Sequence, residues 1–185
     1  MIIADKLRKT NRAEYLLYLW QIEDILRAYQ CNEDLVVKNI AEKFTLDPPT
    51  QKRVNEWYSN LCEMMRSEGK KEHGHLQICQ NILQELQELH NSLISSPNFP
   101  YYKEMYYKIL PYIVELRSKS RHEGSITENE SELETCFDFM YGILMLRLQK
   151  KEIMPETEKA LKDISAFLGQ LSDYYFKDKE EPLEF

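Results

Sequence analysis

Three sets of residues in this 185-residue chain have types and spacings that would suit chemistry. The first is a set of charged side chains placed among apolar ones. Glu14, Glu23 and Asp24 lie in R-A-E-Y-L-L-Y-L-W-Q-I-E-D, Arg117 ends the apolar run P-Y-I-V-E-L-R, and Arg147 sits in I-L-M-L-R-L. If their helices pack together, the planar guanidinium forks can each grip a carboxylate through two hydrogen bonds and keep their charge on burial. Such a cluster would line a pocket for a small polar ligand, or it would fix helix register. The second set is K-E-H-G-H-L-Q-I-C. Glu72 and His75 have the Glu-x-x-His spacing of di-iron bundles, and His75 and Cys79 are one helical turn apart, as two metal ligands would be. A second Glu-x-x-His is missing, because neither His90 nor His122 has a Glu three residues before it. The third set is L-V-V-K-N-I-A-E-K-F-T-L-D-P-P-T-Q-K-R-V-N-E-W-Y, a helix-turn-helix pattern whose second helix would offer Gln51, Lys52 and Arg53 to a groove. Its turn carries two prolines and no glycine, and its flanks are acidic.

Other chemistry has no support in the motifs. There is no Gly-x-Ser-x-Gly and no phosphate-cradling glycine loop, and no Cys and His can be placed together for nucleophilic catalysis. With 5 glycines in the whole chain a dinucleotide fingerprint is excluded in practice. No cofactor is expected. The net charge of −7 and a pI near 5.2 argue against a broad surface for nucleic acid or anionic membrane.

The elements that must position these residues read as helices. Few glycines and 7 prolines leave little room for the turns of an all-β fold, and 43% hydrophobic content is adequate for a core. The segment Arg12 to Tyr29 is apolar on nearly every side over its first turns, the pattern of a helix surrounded by others, and Asn11 with Glu14 marks its start. Asn32 should cap a short helix, Thr50 a longer one through Met65, and Gly69 and Gly74 should break the chain before a helix from His75 to Ser95. A helix over Tyr101 to Lys119 should be kinked or broken near Pro111. Residues 118–130 read as a flexible loop, with either Thr127 or Ser131 capping the next helix. That helix, 131–150, is again apolar nearly all round and is expected beside the first. Pro155 opens the last helix, and residues 177–185 are expected to fray.

The expectation is therefore one all-α domain, a bundle of six or seven helices over residues 1–185 with two nearly fully buried central helices, preceded by a lead-in segment over 1–10 in which Ile2, Ile3 and Leu7 dock. The four cysteines read as buried thiols in a reducing compartment. No stretch has the length of a membrane span or a signal peptide, so the chain is expected in the cytoplasm.

The stretches E-Y-L-L-Y-L-W-Q-I-E-D, G-H-L-Q, P-Y-I-V-E-L-R, E-L-E-T-C-F and L-R-L-Q-K-K-E-I-M-P-E-T-E-K resemble an uncharacterised helical family of Bacteroidetes, a domain of unknown function (DUF4924). The resemblance implies an all-helical fold and brings no catalytic or binding residues with it. The leading expectation is a non-enzymatic cytoplasmic binding or protein-interaction domain. Its partner would be a second copy, suggested by the tyrosine-rich Y-Y-K-E-M-Y-Y and D-Y-Y-F, or another protein or small molecule. The competing expectations are an enzyme or metalloprotein built on the inward Glu, His and Arg residues, and the helix-turn-helix binder.

Overall fold

The computed structural model describes residues 2–122 and 130–185. Eight α-helices and one short 3₁₀ turn are formed by these residues, and no strand is found among them. The helices are α1 (Ile2–Thr10), α2 (Arg12–Ala28), α3 (Glu33–Asn39), α4 (Pro48–Ser67), α5 (Gln77–Ser95), α6 (Pro100–His122), α7 (Glu132–Leu148) and α8 (Pro155–Glu180). The fold is all-helical, with one or two helices more than the periodicity suggests. The nine-residue α1 stands where a lead-in segment was expected, and the seven-residue α3 is the short helix that Asn32 was expected to cap.

Backbone contacts group the chain into two compact units, Met1–Ile82 and Leu83–Phe185. In the first, α1 packs on α2, and α3 with the 3₁₀ turn packs on α4. Leu16, Leu26, Val36, Tyr58, Cys62 and Met65 are among its most deeply buried side chains. Asn11 caps α2 by accepting the Glu14 N–H, and Asn32 does the same for α3 with Leu35. The start of α4 differs from expectation. Asp47 is the cap and accepts the Thr50 N–H, so Pro48 occupies the first turn, where its missing N–H costs nothing. The lead-in helix also differs: Ile2 and Ile3 are exposed, and the small Ala4 is the residue buried against the unit.

In the second unit α6, α7 and α8 pack on one another around Tyr102, Ile109, Phe137, Ile164 and Phe167. The helix α6 runs through Pro111 without a break. Ser131 and Glu134 form the capping box of α7, each side chain accepting the other's backbone N–H. The alternative cap Thr127, and residues 123–129 of the expected loop, lie outside the described residues. Helix α7 buries Leu133, Cys136, Phe137 and Ile143, while Phe139, Met140, Tyr141, Leu144 and Met145 stay half-buried. Of the residues expected to fray, 177–180 belong to α8. Helix α8 continues to Glu180, the Leu183 N–H donates to Asp178, the Asn98 side chain donates to the Glu184 carbonyl, and Phe185 packs against Phe99.

Candidate functional site

In the first unit, Glu23 is the one charged residue of α2 whose side chain is buried, at 1% exposure. The chain places it there because Trp20, Leu16 and Leu26 on the same helix must face the core, and Glu23 shares their side of the turn. A bare carboxylate in such a place would be costly. Three donors meet it. The Leu76 N–H donates to Oε1 at 2.8 Å, the Cys79 thiol donates to the same oxygen at 3.3 Å, and the His75 Nδ1–H donates to Oε2 at 2.6 Å. An Arg27 nitrogen lies 3.9 Å from Oε2. Leu76 and Gln77 open α5, and the Gln77 N–H donates to Glu68 at 2.6 Å. Two carboxylates thus take the free N–H groups at the positive end of α5, one reaching across from α2 and one from the loop before it.

The segment that brings His75 to Glu23 is shaped by Gly69 and Gly74, whose φ values of +67° and +79° are conformations that L side chains rarely adopt. Arg27 holds this segment by donating to the carbonyls of Lys70 and Gly74 and to the Asp24 carboxylate at 2.8 Å. The imidazole of His75 stacks on the buried Trp20 ring, with centroids 4.3 Å apart and planes within 18°. One ring edge is therefore tied to Glu23 and one face to Trp20, yet 37% of the side chain remains exposed. The Cys79 thiol, by contrast, is pushed far up by burial and by the Glu23 carboxylate, so it serves as a donor and not as a nucleophile.

The residues singled out from the sequence are dispersed over several small arrangements. Glu14 is exposed in the first turn of α2, and Asp24 is an exposed partner of Arg27. Arg117 donates to the Thr135 hydroxyl at 3.1 Å and to the Glu130 carbonyl, which ties the end of α6 to the start of α7. Arg147 is 54% exposed and pairs with Glu158 at 3.3 Å, because it falls in the last turn of α7 beyond the buried stretch. Of the proposed metal set, His75 and Cys79 meet on Glu23, while Glu72 is exposed in the intervening turn. Among the described residues no three His, Cys, Asp or Glu side chains are arranged to hold a metal ion. In the helix-turn-helix pattern the side chains offered to a groove bond to partners within the first unit. Gln51 donates to the Ala41 carbonyl and to Asn55, Lys52 faces Glu56 at 3.8 Å, and Arg53 donates to Thr50.

Sequence reasoning missed a second buried polar group. His90 on α5 shares a 2.8 Å hydrogen bond with the Tyr102 hydroxyl on α6 and meets the rings of Tyr106 and Phe167 edge-on. Burial pushes its imidazole down to about 4 and raises the Tyr102 phenol. The Tyr106 hydroxyl donates in turn to Glu132 at 2.5 Å. The only sequence signal was a His inside the apolar stripe Leu86, Leu89, Leu93, a position that demands a buried partner.

No helix of the described residues is long and apolar enough to cross a membrane. No curated protein and no solved structure matches the chain. The family model described as a domain of unknown function (DUF4924), a description that assigns no activity, matches residues 1–182, and the chain belongs to that family.

Proposed function

We propose that the protein is a non-enzymatic cytoplasmic interaction module that pairs with a second copy of itself through the outer face of α6. The observation that carries this reading is an apolar stripe on that helix. Tyr107 and Val114 are each 61% exposed, and the exposed Pro111 lies between them. At 3.6 residues per turn these three share the side opposite the buried Tyr102, Ile109 and Ile113. The stripe is close to self-complementary. Laid antiparallel about a two-fold axis at Pro111, Tyr107 of one copy covers Val114 of the other. Glu104 then comes near residues 118–119 of the partner's α6, where Lys119, which pairs with Glu115 of its own chain at 2.6 Å, is exposed. A two-fold dimer needs such a patch, with a ring on each side to fill it. The four cysteines, all free and buried, support the reading of a reducing compartment.

Sedimentation velocity of the wild type and of Val114→Glu tests the pairing. The wild type should sediment as a dimer at micromolar concentration. Val114→Glu should be a monomer with an unchanged melting temperature, since the side chain it replaces is exposed. A wild type that is monomeric, or a Val114→Glu variant that remains dimeric, would overturn the reading.

A further inference from the structure

We propose that α1 is an interfacial anchor, through which the first unit docks on an anionic lipid surface. The inference stands on that unit alone and is independent of self-association.

The net charge of −7 opposes any broad contact with anions, so such a contact has to be local. Residues 1–12 are where the sign reverses. They hold Lys6, Arg8, Lys9 and Arg12 against one carboxylate, Asp5, whereas the whole chain has 24 basic and 31 acidic side chains. Asp5 faces Arg8 at 3.9 Å, and the half-buried Arg12 lies over the Tyr15 ring. Lys6 and Lys9 are exposed.

Beside these cations two large apolar side chains are turned to solvent. Ile2 is 57% and Ile3 48% exposed, because α1 docks on α2 through the small Ala4, with Leu7 half-buried on the same side. At 3.6 residues per turn Ile2, Lys6 and Lys9 share the face opposite Ala4 and Leu7, and Ile3 borders it.

Along the helix axis the order is apolar first and cationic behind. At a rise of 1.5 Å per residue, Lys6 lies about 6 Å and Lys9 about 10 Å past Ile2. That order matches the depth profile of a lipid surface, where acyl chains lie beneath a layer of phosphates, and interfacial helices bury their apolar side chains about 5–10 Å into that boundary. With its first turn leading, α1 puts Ile2 and Ile3 at the acyl boundary and Lys6 and Lys9 at the phosphates, where each cation adds about a fivefold gain in partitioning. An acidic protein partner would satisfy the lysines and leave the exposed isoleucines at the leading turn without a use.

The test is co-sedimentation of the full chain, at low salt, with vesicles of phosphatidylcholine alone or with about 30% phosphatidylglycerol. The wild type should pellet with the anionic vesicles and stay in solution with the neutral ones. Salt at about 1 M, where charges are screened beyond about 3 Å, should release it. Lys6→Gln together with Lys9→Gln should lower partitioning about 25-fold, and Ile3→Ser about tenfold. These side chains are exposed, so both variants should keep the wild-type helix content by circular dichroism. A wild type that does not pellet, that pellets equally with neutral vesicles, or whose binding either variant leaves unchanged would overturn the proposal. Capture on polyglutamate without binding to vesicles would also overturn it, and would assign α1 to an acidic protein partner.

Discussion

Glu23 shows what a buried charge requires at the scale of one residue. Its oxygens take a backbone N–H, a thiol and an imidazole N–H, with a guanidinium 3.9 Å away. Removing the carboxylate strands several donors at once, so Glu23→Ala should destabilise the first unit by about 3 kcal/mol. Glu23→Gln, which keeps an acceptor for the Leu76 N–H, should cost roughly half as much. Urea unfolding of the two variants checks the order. His90 makes a pH prediction. Its folded value of about 4 lies below the ordinary 6.5, so between those two values the unfolded chain binds a proton that the folded chain refuses. The contribution is complete above pH 6.5 and is lost as the pH falls toward 4, on the order of 3 kcal/mol in all. His90→Gln should flatten the fall in melting temperature over this window, and a slope equal to that of the wild type would contradict the assignment. That a carboxylate of this helix would face inward was legible, since Glu23 and Asp24 interrupt an apolar helix face, but which one was not. The partners of Glu23 were not legible either, because His75 lies 52 residues away and side-chain periodicity carries no information about which element faces which.

Caps and breaks decide the elements, and most of them can be read locally. Asn11, Asn32 and Ser131 accept the N–H three residues on, as their side chains are built to do. Ser131→Ala should cost about 1 kcal/mol in the second unit, measured by thermal unfolding. Two boundaries were harder to read for physical reasons. The end of α2 is made by Gln30 and Cys31, both at positive φ, where a glycine would have been the visible signal. The start of α4 is capped by Asp47, which the two following prolines disguise as a simple break. Gly74 combines a φ of +79° with a carbonyl that anchors Arg27, so Gly74→Ala should cost about 1–2 kcal/mol and loosen His75 from Trp20. A change in tryptophan fluorescence relative to the wild type would report that loosening, because His75 stacks on Trp20.

Across the whole molecule the helical class was legible from composition and period, whereas the division into Met1–Ile82 and Leu83–Phe185 was not. Both units use long helices of similar pattern, and α5 begins in one and continues in the other, so no change in composition marks the boundary. The polar residues that suggested one ligand pocket find their partners within their own units. Glu23 and Asp24 pair with His75 and Arg27, Arg117 with Thr135, and Arg147 with Glu158. Among the exposed apolar side chains of the described residues are Tyr107 and Val114 of the α6 stripe, with Pro111 between them. Self-association through that stripe, with no resident ligand, is tested most directly by native mass spectrometry of protein purified without chelator. The account predicts the mass of two chains with nothing added. A single chain, or a chain carrying a metal ion or an organic molecule, would contradict it.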